Sequence, residues 1–171
     1  LMKSKKNLVL LGMMGSGKST IGYLLSKKLK RKFIDVDKFI EKNVNMTISE
    51  IFKKKGEIFF RSLEEKVTIK LLKSNNNIIS LGGGGFINEK VRKEVVLNCI
   101  SFWLNWDTQT ILKRIKKSKK RPLAYNTNKN MIGELIENRS KIYAKAKFKI
   151  DCNKLSKTEI VNKIINLNEN N

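Results

Sequence analysis

A chain of 171 residues, 40% of them apolar and with no apolar run near the roughly 18 residues of a membrane span, is expected as a single cytoplasmic α/β domain over residues 1–171. The two cysteines, Cys99 and Cys152, have neither metal-ligand spacing nor a disulfide framework to join, and the bland reading is buried thiols; no leader peptide is visible before the first strand. The formal charge of +22 comes mostly from scattered lysines, with no module that interleaves arginines and aromatics, so specific nucleic-acid binding is not expected and the basic surface serves at most to attract anionic small molecules.

The elements alternate. Residues 7–11 read as a short buried strand, and 18–30 as a helix with Ile21, Leu24, Leu25 and Leu29 on one face. A second strand is expected over 33–36, then two short helices over 37–43 and 47–54, the latter opened by a Thr47–Glu50 capping box. A longer helix over 57–73 ends in the polar turn Ser74-Asn75-Asn76-Asn77. A buried strand over 78–81 runs into four glycines, followed by a helix over 88–98, a strand over 100–105 and a helix over 107–116 with Asp107 as N-cap. Residues 117–130 lack apolar periodicity and hold the only proline, Pro122, which suits a lid. A helix over 131–146, a strand over 148–150 and a helix over 156–167 complete the chain. Five strands joined by helices predict a parallel sheet flanked by helices on both faces, with a substrate-binding region near 35–64 and a lid near 117–130.

The sharpest local signal is Gly12-Met13-Met14-Gly15-Ser16-Gly17-Lys18-Ser19, a G-x-x-x-x-G-K-[ST] run between a strand and a helix. Glycines let consecutive N–H groups turn toward phosphate oxygens, and the helix N-terminus adds partial positive charge. Gly12, Gly15, Ser16, Gly17, Lys18, Ser19 and Thr20 are therefore the candidate ATP-binding residues, with Lys18 reaching the β- and γ-phosphates and Ser19 on Mg²⁺. This pattern says nothing about the acceptor.

Fifteen carboxylates in the chain leave few partners for the metal. Asp35 and Asp37 lie at the end of the second strand and lean to one side if the strand persists through both; the structural reading of Asp35 is a helix N-cap. Asp151 also follows a strand, without a phosphate partner nearby. With no histidine anywhere, a general base must be a carboxylate, a lysine or the substrate phosphate. Asp37 is the candidate to orient or accept the acceptor hydroxyl, and Asp35 the candidate to hold Mg²⁺ through water.

Taken together, these segments resemble the shikimate kinase family: the cradle over 12–20, the Asp-x-Asp of Asp35 and Asp37, residues 51–64 with Arg61, the glycine run to Gly85, Arg121-Pro122-Leu123, and Arg139 with Tyr143. The resemblance implies that Asp37, Arg61, Gly83 and Arg139 hold shikimate, with both arginines on its carboxylate, and that Arg121 closes on the phosphates while Arg114 lies against adenine. Gly82 and Gly84 join the candidates because a backbone brought close to a substrate needs glycine. An arginine fork pairs bidentately with a carboxylate where lysine offers a point charge, and four of the six arginines fall on these positions. Arg61 also has a plain reading, as a helix residue paired with Glu64 or Glu65. Phe52 and Phe60 either wall the site or belong to the core. Ala124 in place of a usual second leucine, and Asn45-Met46-Thr47 in place of a Gly-containing turn, depart from the family pattern. The expected activity is ATP-dependent phosphorylation of the shikimate 3-hydroxyl by a monomer. A gluconate-type or nucleoside-monophosphate kinase, or a non-catalytic nucleotide- or RNA-binding module, are the alternatives.

Overall fold

The computed structural model describes residues 5–117 and 129–171. Its strands are β1 (Leu8–Leu11), β2 (Lys32–Asp35), β3 (Asn77–Ser80), β4 (Ile100–Asn105) and β5 (Phe148–Asp151), all parallel, in the order β2-β3-β1-β4-β5. The helices among the described residues are α1 (Lys18–Leu29), α2 (Val36–Val44), α3 (Ile48–Lys55), α4 (Glu57–Leu72), α5 (Glu89–Asn98), α6 (Thr108–Lys117), α7 (Lys129–Tyr143) and α8 (Lys157–Glu169). The segment expected as a lid is therefore described only at its two ends, as parts of α6 and α7; the remainder, including Arg121, Pro122 and Ala124, lies outside the described residues.

Strand alternation divides the core into two layers. Val9 and Leu11 of β1 join Ile79, Leu81 and Trp103 under α2, α4, α5 and α7, while Leu8 and Leu10 join Ile78, Ile100, Phe102 and Leu104 under α1 and α8. Both faces of the sheet are thus covered, which is why its central strands read as unbroken apolar runs. Both cysteines are buried free thiols; burial first of all pushes Cys99 up to about 11 and Cys152 up to about 12.

Local chemistry sets the boundaries. Thr47 and Glu50 form the expected capping box, and Asp107 accepts from Thr110 N at 2.8 Å as the N-cap of α6. Asn45 closes α2 in the left-handed region, at φ 53°, so an asparagine does what glycine commonly does at such a turn. One expectation fails: β2 stops at Asp35, whose side chain accepts from Lys38 N at 3.3 Å and starts a helix there. Asp37 therefore sits in the first turn of α2, not on an extension of the strand.

Candidate active site

The strand order places β1 between β3 and β4, so the loops leaving these three strands meet at one edge of the sheet, where ligands of open α/β sheets gather. The loop after β1 leaves at Gly12, whose φ of 142° is closed to ordinary L-residues and whose Cβ would stand 2.9 Å from the Leu104 carbonyl oxygen. Gly17 continues at φ 88° and leads into α1. Lys18 is buried and donates from Nζ to the carbonyls of Gly12 at 2.8 Å and Met13 at 3.0 Å, folding the ammonium back across the loop.

Beside this loop, Ser19 Oγ donates to Asp35 Oδ2 at 2.5 Å. The N-cap and metal readings of Asp35 are thus compatible, because its other oxygen takes the helix bond. Two residues touch this loop, one just after β4 and one on α6. Trp106 Nε1 donates to the Ser16 carbonyl at 2.9 Å, and Arg114 Nη1 donates to the Gly15 carbonyl at 3.3 Å. The Arg114 guanidinium lies 3.7 Å from the centre of the Trp106 ring. Thr20 is exposed on α1, one residue beyond Ser19.

The second half of the site is assembled from α2, α4, α7 and the glycine turn after β3. Arg61 Nη1 pairs with Glu64 Oε2 at 2.8 Å, and Glu57 Oε1 meets its Nε and Nη2 at 3.3 Å. Burial pulls this guanidinium down, but hydrogen bonds and charge from Glu64 and Glu57 outweigh it and hold the group above its ordinary value. Glu65 is not its partner; that carboxylate takes Asn88 and Lys90 instead. Phe60 is in the core, and Phe52 meets it tilted with ring centres 4.8 Å apart, while both rings lie within 5.9 Å of the Arg61 guanidinium. The two readings of these rings therefore hold together.

Each glycine of the turn has its own neighbour. A Cβ on Gly82 would stand 2.6 Å from both Asp37 Oδ1 and Glu64 Oε1. One on Gly83 would be 3.4 Å from Arg139 Nη1 and from Met14 N, and one on Gly84 would be 2.5 Å from Arg61 Nη1. Tyr143 donates its hydroxyl to the Gly83 carbonyl at 2.5 Å; its burial pushes the phenol up to about 12, so it remains a donor. Arg61, Glu64, Gly84 and Arg139 line one cleft of about 330 Å³.

The structure thus brings together Asp37, Arg61, Gly82, Gly83, Gly84 and Arg139 around one turn, and Lys18, Ser19, Asp35 and Arg114 around the Gly-rich loop. Trp106 and Glu57 were not picked out from the sequence: a tryptophan after a strand reads as core, and the partner of Arg61 was sought downstream rather than four residues upstream. The two arginines outside the site are structural. Arg31 donates to the Lys6 carbonyl, and Arg92 donates to the carbonyls of Phe86 and Ile87.

A Gly-rich loop between the central strand and its following helix, on a parallel sheet of this order, is the architecture of a P-loop phosphotransferase. The family model for shikimate kinase matches residues 14–168. A shikimate kinase of Persephonella marina is 42% identical over 161 residues, covering 94% of this chain and 97% of its own length. Among solved structures, the shikimate kinase of Acinetobacter baumannii in complex with shikimate superposes with a TM-score of 0.91 at 30% identity, over 96% of this chain and 93% of its own. That of Aquifex aeolicus superposes with a TM-score of 0.85 at 37% identity, covering 96% of each chain. The chain belongs to the shikimate kinase family.

Proposed function

We propose that this chain transfers the γ-phosphoryl group of ATP to the 3-hydroxyl of shikimate, giving shikimate 3-phosphate and ADP. The observation that carries the reading is the turn after β3. Its Gly83 lies beside both Met14 N of the P-loop and the guanidinium of Arg139, and Gly84 lies against Arg61. A carboxylated acceptor gripped by these two forks has its ring against a bare backbone and its far side toward the phosphate cradle.

In this reading Arg61 and Arg139 hold the carboxylate, and Glu64 aims the first of them. Asp37, at the Gly82 end of the turn, orients the attacking hydroxyl and accepts its proton; the chain has no histidine to do so. Lys18 leaves its loop carbonyls for the β- and γ-phosphates, and Arg114 lies against adenine. Arg121, assigned to the phosphates by resemblance, lies outside the described residues. Ser19 and Asp35 fit Mg²⁺, because hydroxyl and carboxylate oxygens side by side are the donors a hard cation takes. Among the described residues no cluster of three His, Cys, Asp or Glu side chains competes for the ion. Mg²⁺ there would neutralise charge on the phosphate oxygens. Much of the catalytic effect is then positioning and charge neutralisation.

ADP release measured with shikimate, gluconate and nucleoside monophosphates in parallel tests the reading. Turnover with shikimate alone is expected. Turnover with gluconate or a nucleotide, and none with shikimate above the ATPase background, would overturn it.

A further inference from the structure

We propose that Trp106 is a positioning residue for the nucleotide: it sets the plane of one P-loop peptide and holds the Arg114 guanidinium ready for the base. The inference rests on the reading of residues 12–19 as the nucleotide cradle. Three contacts carry it, each made by a residue outside the Gly-rich motif. Trp106 Nε1 donates to the Ser16 carbonyl at 2.9 Å, Arg114 Nη1 donates to the neighbouring Gly15 carbonyl at 3.3 Å, and the guanidinium stacks 3.7 Å from the indole centre.

A trans peptide is planar, with its C=O and N–H pointing in opposite directions. Fixing the Ser16 carbonyl therefore turns the Gly17 N–H away from Trp106 and limits how far that peptide can rotate. The adjoining peptide is held at both ends, by Arg114 on the Gly15 carbonyl and by the Met13 carbonyl, which accepts from Ser16 N at 3.1 Å. Gly17, at φ 88°, is held on its carbonyl side by Ile21 N at 2.9 Å, which leaves the peptide on its N–H side to be fixed by another neighbour. Trp106 supplies that restraint through its N–H. Its ring does a second thing: a guanidinium stacked on an indole face has already lost rotamer freedom, so less is lost when a base settles against it.

Two substitutions separate these roles. Trp106→Phe keeps a ring under Arg114 and removes the donor; Trp106→Leu removes both. Titration with ADP, with and without Mg²⁺, is expected to show an affinity about 5-fold weaker for Trp106→Phe and about 20-fold weaker for Trp106→Leu. Shikimate binding in the absence of nucleotide is expected within 2-fold of the unsubstituted chain. In an Arg114→Ala background the difference between the two substitutions should vanish. The unsubstituted indole should change its emission on adding ADP, and Trp106→Phe, which keeps only the buried Trp103, should not. Nucleotide affinity unchanged in both variants would overturn the inference, as would equal loss of shikimate and ADP binding, which is the signature of a loosened fold. Failure of the underlying reading looks different: the unsubstituted chain would then bind ADP no better than its Lys18→Ala variant.

Discussion

The two halves of the site are built on different principles. The phosphate end is backbone: a contiguous run from Gly12 to Ser19, shaped by positive φ angles and a helix N-terminus, with one lysine laid across it. The acceptor end is side chains: guanidiniums and carboxylates from α2, α4 and α7 meet a glycine turn from β3, and consecutive contacts come from residues far apart in sequence. The first kind of site recognises what every nucleoside triphosphate shares. On the proposed reading the second recognises a carboxylated acceptor, because a guanidinium fork has a direction that a point charge lacks.

The contrast is sharpest when each half is broken separately. Lys18→Met removes the cation from the cradle and should lower kcat about 10³-fold, measured as ADP release under saturating substrates, while shikimate binding by calorimetry stays within 2-fold. Coupled loss of both would mean that the halves are one unit. At the opposite end, Gly82→Ala puts a methyl 2.6 Å from Asp37 Oδ1 and Glu64 Oε1. Something must move, and kcat/KM for shikimate should fall about 10-fold or more with ADP affinity retained. Gly84→Ala puts a methyl 2.5 Å from Arg61 Nη1, on a guanidinium that Glu57 and Glu64 hold, and should weaken shikimate binding as well. The smallest effect is on stability at alkaline pH. The folded protein keeps Tyr143 protonated to about 12 against 10.0, and Cys99 and Cys152 to about 11 and about 12 against 9.0. In those windows the folded state binds more protons than the unfolded one, so the contribution is whole below pH 9 and is lost as pH rises toward 12. Melting temperatures should fall over that range, and less steeply in Tyr143→Phe; a flat profile to pH 12 would contradict the burial.

The same contrast explains what could be read from the sequence. The cradle was legible because its geometry is local, and the sheet because strands and helices alternate with clear periods. The arginines of the acceptor end stood out because they break a lysine-rich background. What escaped were relations made only by folding. The sequence offered Asp35 both as a strand residue and as an N-cap; folding decides for the cap, which removes Asp37 from the strand without taking it from the site. Trp106 looks like any core aromatic until β4 and α6 are packed beside the P-loop. The four glycines read as one flexible run, yet Gly82 faces two carboxylates, Gly83 and Gly84 face arginines, and Gly85 opens a short 3₁₀ turn over Gly85–Ile87.

On the proposed reading, two guanidinium forks select a carboxylated acceptor independently of the nucleotide. Calorimetric titration of shikimate and of ADP into the unsubstituted chain, Arg61→Lys and Arg139→Lys tests it most directly. Each lysine keeps the charge and removes the fork, so shikimate affinity should weaken about 10-fold or more while ADP affinity stays within 2-fold. Shikimate affinity unchanged in both variants, or equal weakening for both ligands, would contradict it.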